Sequence, residues 1–285
     1  MEKIDSIALT TDGMSPARVT AAARESLGAH RLALLRGMPP DVDVLVSVLS
    51  GLGTLIDNYA AGSDSEAYAL HRAVNVVRYR PDSAAKRVQE RDGALPMHSG
   101  RAFAADRPRY MAMQMIDPGW SDGAAGENGE SLLVRWGEVL ASMERADPDG
   151  FTEDVRTLTT KSICFPSVNL QDEASRLPLV YVPPTPWRES VRYDVAARLP
   201  QKFARLEQCA PPGRDGDRFI RAARRFAEHA DTPGVQMRYA LGAGDLVIID
   251  NDRFGHGRCT VRGHRTAEDG STSVNPRTLW SVNVA

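Results

Sequence analysis

Apolar and polar positions along the chain follow two rhythms, one helical and one of strand type. The stretch "SPARVTAAARESLGAHRLALLRGMPPD" predicts a short helix with Ser15 as its N-cap and Gly28 near its stop, followed by an apolar strand, "RLALLRG". "DVLVSVLSGLGTLI" predicts a second amphipathic helix. "RAVNVVRYRP" alternates as a strand does, and "YMAMQMI", apolar, β-compatible and closed by "DPGW", predicts another. Residues 118–130, "PGWSDGAAGENGE", are glycine-rich and polar and mark a loop, either a lid or a surface excursion. A helix is expected over "SLLVRWGEVLASMERADP", then β-rich segments, "LTTKSICFPSVNL" and "LPLVYVPPTPW", then a helix, "DRFIRAARRFAEHA", with its arginines on a solvated face. "MRYAL" and "DLVIID" are expected to pair around the turn "GAG", and "PRTLWSVNVA" ends the chain as a strand. Strands outnumber helices, and without a repeat or linker a single domain over 1–285 is expected.

Composition narrows the classes of function. With 285 residues, 42% hydrophobic and 25% charged, the chain can bury one sizeable core. Thirty-five basic and 37 acidic residues leave a net charge of −2, which gives no footprint for nucleic acid or an anionic membrane and favours small-molecule partners. The N-terminal "MEKIDSIALTTDGMS" has no basic region leading into an apolar one, and nowhere do about 18 apolar residues run together, so a cytoplasmic protein is expected. Cys164, Cys209 and Cys259 are isolated, which suggests neither a disulfide framework nor a zinc knuckle. Oligomeric state is not legible.

Two histidines, His98 and His256, stand at predicted strand ends. Non-haem iron(II) is commonly held by two histidines and one carboxylate on one face. A histidine at a strand end is, on pattern alone, more often structural than metal-binding. Two residues after His98, where a carboxylate ligand would stand, the chain has Gly100. His30, His71 and His229 lie in helical or helix-adjacent polar settings, and His264 sits in a loop with no partner at metal-ligand spacing.

The segments around these residues carry a resemblance. "HSGRAFAADRPRYMAMQMI" resembles the first metal-ligand segment of the iron(II)/2-oxoglutarate oxygenases of the clavaminate synthase-like and TauD/TfdA-like superfamily, in which His-x-Asp/Glu precedes an aromatic, "RPxY" and a strand. "GDLVIIDNDRFGHGR" is similar to that family's second histidine segment, "PRTLWSVNV" to its last strand, "NGESLLVRW" to its "GG-x-T" element and "LLRGMPPD" to its N-terminal "llrGlp". The resemblance implies a mainly β, α+β fold: a cupin-like double-stranded β-helix, or jelly roll, with helices on one side and iron at the open end. It further implies His98 and His256 as iron(II) ligands, Arg277 and Ser131 as partners of the distal carboxylate of 2-oxoglutarate, and O2 as oxidant. A planar, permanently charged guanidinium suits that carboxylate.

The departures matter as much. His-x-Gly resembles the iron halogenases of this superfamily, in which chloride or bromide takes the position a carboxylate leaves. Gly100 therefore marks an expected halide site, chloride an expected co-substrate, and halogenation of an aliphatic C–H in a small polar metabolite, an amino acid or similar, the expected reaction. The alternatives are a hydroxylase, desaturase or ring-forming oxidase with an atypical two-histidine site, its third ligand water or a carboxylate such as Asp106, and a non-catalytic jelly-roll binding protein. Ser281 stands where relatives acting on free amino acids carry a second arginine, so substrate anchoring is expected from elsewhere: Arg78, Arg192 or Arg262, with Asp194 as an acidic contact.

Overall fold

A computed structural model of the chain describes residues 4–57, 65–81, 88–102, 107–160, 177–182 and 194–285. Two antiparallel-rich sheets dominate it. The larger runs, in spatial order, β1 (Ala8–Thr10), β2 (Leu32–Arg36), β10 (Leu246–Asp250), β5 (Tyr110–Asp117), β14 (Thr278–Val284) and β3 (Val74–Arg78). The smaller runs β4 (Leu95–His98), β11 (Phe254–Arg258), β6 (Ser131–Arg135) and β9 (Met237–Tyr239). Only β1 and β2 pair in parallel within these sheets.

Because strand side chains alternate between faces, each sheet feeds two cores. Met111, Met113 and Met115 of β5, Val247 and Ile249 of β10, and Leu279 of β14 meet Leu133 and Phe254 of the smaller sheet in the inter-sheet core. Their outward neighbours are apolar too. Ala33, Leu35, Ala112, Ile248 and Val282 pack under α1 (Pro16–His30) and α2 (Val42–Ser50). Leu132 and Val134 join a core with α3 (Trp136–Ala146), α4 (Pro148–Thr159), α5 (Ala204–Cys209) and α6 (Arg214–Ala230), where Trp136 and Phe226 stand 5.5 Å apart. Gly255 of β11 leaves room for that indole: a Cβ there would come within 2.3 Å of Trp136. The fold is the jelly roll, with helices against the outer faces of both sheets and not on one side alone, because both sheets carry apolar residues outward.

Local chemistry accounts for the helix ends. The Asp41 carboxylate accepts from the amides of Asp43 and Val44 and starts α2, which stops at Gly51, short of the full "SGLGTLI" run. Pro16 occupies the first turn of α1, whose C-cap is Arg31 at φ 58, three residues beyond Gly28.

Two expectations are corrected. "SLLVR" is strand β6 and not the start of a helix, since only Trp136 onward is helical. Both faces of β6 are buried, so its run is continuously apolar and hides the alternation. "MRYAL" and "DLVIID" do not pair: β9 lies beside β6 in the smaller sheet and β10 between β2 and β5 in the larger. The intervening turn is tied to the larger sheet, where the Gly244 N–H donates to the Met115 carbonyl (2.9 Å) and its carbonyl accepts from Met38 N–H (2.9 Å).

Part of "LTTKSICFPSVNL" ends α4, and its remainder lies outside the described residues; "LPLVYVPPTPW" contributes β7 (Val180–Tyr181) paired with β8 (Ala196–Ala197). Between His256 and Arg277 lies the hairpin β12 (His264–Thr266) and β13 (Thr272–Val274). Its Arg265 guanidinium stands 4.0 Å from the ring centroid of Trp120 in the 118–130 loop. Among the described residues no helix is long and apolar enough to cross a membrane.

Candidate active site

The β4–β11 ladder makes His98 and His256 direct partners, and their ring centroids lie 4.1 Å apart. Both line a cavity of about 220 Å³ between the sheets. His98 Nδ1 lies 2.9 Å from the Pro96 carbonyl. A donated Nδ1–H there fixes the tautomer and leaves Nε2 with the lone pair. Burial lowers the pKa of both rings, that of His256 well below the ordinary histidine value with His98 adding to the effect, so both are neutral near pH 7 and able to act as ligands. His256 Nδ1 is buried with no hydrogen-bond partner, an orphaned polar atom of the kind a metal completes. Two imidazoles facing one cavity suit iron(II). Among the described residues no third His, Cys, Asp or Glu joins them.

Two buried arginines face the same cavity and differ in how they are held. Arg258 spends its fork on the protein, donating to the carbonyls of Gln89 (3.0 Å), Arg91 (2.6 Å) and Gly93 (2.7 Å). Arg277 donates once, from Nη2 to the Gly129 carbonyl at 3.1 Å. Gly129 has φ +70, and a Cβ there would stand 2.9 Å from Arg277 Nε, so glycine lets the guanidinium lie against the backbone. Burial lowers each arginine to about 10, which leaves both charged at neutral pH. Ser131, 5% exposed, also lines the cavity. Its strand partner Tyr239 has a hydroxyl whose pKa burial pushes upward. Arg277, with donors to spare in a cavity that Ser131 also lines, is an arrangement that a carboxylate ligand fits.

Gly100 also lines the cavity, and Asn251 holds it there. The Asn251 side chain accepts from Gly100 N–H (2.8 Å) and donates to the carbonyls of Gly100 (3.0 Å) and Pro108 (3.0 Å). A Cβ on Gly100 would stand 3.0 Å from Met111 Sδ and 3.1 Å from Asn251 Oδ1, so this backbone is closely packed as well as free of a ligating side chain. Among the described lining residues none is an aspartate or glutamate, while Arg101, Arg258 and Arg277 all are lining residues. The cavity is therefore cationic and suited to anionic ligands.

Asn251 and Arg101 were not anticipated from sequence. Asn251 lies in the quoted "IDNDRFGHGR", but its partners are 143 and 151 residues away. Arg101 adopts φ 49, uncommon for a non-glycine residue, and that backbone turns it toward the cavity next to Gly100. Ser281 shares the cavity face with Arg277, as its four-residue spacing predicts, beside its strand partner Asn75. Arg78 is a different case: β3 presents Asn75 and Val77 to the cavity, so Arg78 points to the opposite face and is exposed. Asp194 stands 3.7 Å from Arg31, outside the cavity lining, and Arg262 is likewise exposed and outside it. Asp106 and Arg192 lie outside the described residues.

Residues 5–269 match the family described as "Taurine catabolism dioxygenase TauD, TfdA family". The chain belongs to the TauD/TfdA family. That match contains both histidines, Gly100 and Ser131, and ends before Arg277, whose place rests on the geometry above. Among solved structures, this TauD/TfdA-family chain is similar to an asparagine oxygenase in complex with Fe(II), (2S,3S)-3-hydroxyasparagine and succinate: TM-score 0.60, 17% identity, 98% of this chain and 93% of that one. It is also similar to the non-heme iron oxygenase OrfP in complex with Fe, succinate and (3S)-hydroxy-L-Arg (TM-score 0.61, 19% identity, 95% and 82% of the two chains). OrfP in complex with Fe and alpha-ketoglutaric acid aligns at TM-score 0.60 and 19% identity, over 95% and 80% of the two chains. The comparison with curated proteins gave no match.

Proposed function

We propose that this TauD/TfdA-family protein is an iron(II)- and 2-oxoglutarate-dependent oxygenase that oxidises an aliphatic C–H bond of a small amino acid or similar metabolite. The supporting observation is the convergence of His98, His256 and Arg277 on one cavity. Iron(II) with 2-oxoglutarate supplies oxygen activation for C–H cleavage. His98 and His256 would hold the metal, with the Pro96 carbonyl orienting the first ring. Arg277 and Ser131 would receive the distal carboxylate of 2-oxoglutarate. Met111, Met113 and Leu279 give the cavity an apolar wall that excludes water from the reacting groups. Arg101, next to Gly100, is placed to meet a substrate carboxylate, the task that Ser281 is too short to perform.

Hydroxylation is the first outcome of this reading, in keeping with the 3-hydroxyasparagine and hydroxy-L-Arg bound by the two structural neighbours. Halogenation is the second, favoured by one observation: position 100 offers no carboxylate, and none is found among the described residues of a cationic cavity. A chloride at the metal would restore the missing negative charge. The deciding experiment is mass spectrometry of aerobic reactions with iron(II), 2-oxoglutarate and a panel of free amino acids, run without halide, with chloride and with bromide. A halide-independent gain of one oxygen establishes hydroxylation. Replacement of hydrogen by chlorine, and by bromine in bromide, establishes halogenation. Failure both to bind iron(II) and to consume 2-oxoglutarate would leave a jelly-roll binding protein and overturn the proposal.

A further inference from the structure

A second concavity lies behind the turn that carries Gly100, outside the metal cavity. It has a volume of about 530 Å³ and is lined by Arg31, Arg107, Arg109, Arg198 and Arg253, with Asp250 and Asp252 as its acidic side chains. We propose that it is a binding site for a phosphate-type oxyanion, separate from the 2-oxoglutarate subsite.

The carboxylates there are already committed. Asp252 pairs with Arg107 Nε at 2.9 Å. Asp250 accepts from the Asp252 amide, and burial raises its pKa toward the neutral form. Arg31 has an outside partner, Asp194 at 3.7 Å, and Arg253 donates to the Asp194 carbonyl. Five guanidiniums therefore share the concavity with two acidic side chains, one of them already paired with Arg107, and a dianion balances the remaining positive charge better than a single carboxylate would.

The floor points to a ligand independently. Arg107, whose side chain is 6% exposed, donates through Nη2 to the carbonyls of Ala197 (2.9 Å) and Asn251 (2.7 Å). Its Nη1 is buried with no partner. Burial lowers Arg107 to about 10; the Asp252 charge opposes this, and the weaker effect of the Arg198 charge adds to it. A buried guanidinium nitrogen left without a partner costs free energy, and an oxyanion that accepts from it offsets that cost. The bond to the Asn251 carbonyl fixes the orientation of this floor from the side of the metal cavity.

Isothermal titration of the iron-free full-length protein at near-physiological salt tests the site, with inorganic phosphate in one arm and glycerol phosphate in the other. One binding event is expected, weakened at least tenfold by Arg198→Gln and by Arg109→Gln, the first residue half-buried and the second exposed, whose replacement spares the Arg107 contacts. Arg277→Leu should leave it unchanged. Equal binding in both arms identifies the end group of a larger phosphate ester, and phosphate binding alone identifies a free ion. The proposal is overturned if neither anion binds, or if binding survives both glutamine variants and vanishes in Arg277→Leu, since the anion would then occupy the metal cavity.

Discussion

Asn251 clamps the backbone of Gly100 from both sides, accepting from its N–H at 2.8 Å and donating to its carbonyl at 3.0 Å. The two residues are 151 apart in sequence, and Asn251 is fully buried. One amide thus sets the path of the chain two residues after His98. Asn251→Ala would leave three bonds unmade, two to Gly100 and one to the Pro108 carbonyl. A loss of about 3–5 kcal/mol is expected from buried groups left unsatisfied. Urea denaturation measures it, and a midpoint equal to that of wild type would show that the clamp contributes nothing.

His98→Ala and His256→Ala should each abolish iron(II) binding and iron-dependent turnover. His256→Ala loses no hydrogen bond at Nδ1, so its cost to stability should come from the packing of a buried ring against His98. Iron binding followed by titration, with circular dichroism as the check on folding, separates the two effects. Undiminished iron affinity in either variant would remove that residue from the site.

The two cavity arginines should behave oppositely. Arg277→Leu is expected to weaken 2-oxoglutarate binding by about 2–5 kcal/mol, as when one partner of a buried charge pair is removed, while losing only the bond to Gly129 from the fold. Arg258→Leu instead strands the carbonyls of Gln89, Arg91 and Gly93 and should destabilise the protein by about 3 kcal/mol or more. Measuring 2-oxoglutarate affinity and unfolding on both variants distinguishes a ligand arginine from a structural one. Equal effects on both quantities in both variants would contradict the division.

How much of this was legible in the sequence depended on range. The segments around His98, His256 and Arg277 are local runs, and the structure brings all three to one cavity. "RAVNVVR" showed itself as a strand because Asn75 interrupts a run of β-branched residues on the face that lines the cavity. "SLLVR" did not, because helices cover its outer face and both parities became apolar. Arg78 needed the register of β3 on β14: once Asn75 is known to oppose Ser281, the parity of Arg78 sends it outward. The Asn251 clamp and the Arg107 floor depend on side chains meeting backbone more than 80 residues away, which no local pattern encodes.

Position 100 tests the metal site most directly. Gly100→Ala adds a methyl 3.0 Å from Met111 Sδ and 3.1 Å from Asn251 Oδ1. The methionine can swing aside, but Asn251 can yield only by stretching its bonds to Gly100, so a cost of about 1–2 kcal/mol is expected with iron affinity retained. Gly100→Asp meets the same crowding and also introduces an anion beside the two histidines. An added carboxylate ligand should tighten iron(II) binding and abolish any dependence of the product on chloride, because it occupies the position a halide would need and supplies the charge a halide would bring. Turnover of Gly100→Asp should still fall below wild type, since a carboxylate displaced by the Asn251 clamp is not held in productive geometry. Anaerobic iron titration and product analysis with and without chloride read both effects. If aspartate changes neither iron affinity nor the product while alanine behaves as expected, position 100 does not face the metal, and the halogenation reading loses the observation that favours it.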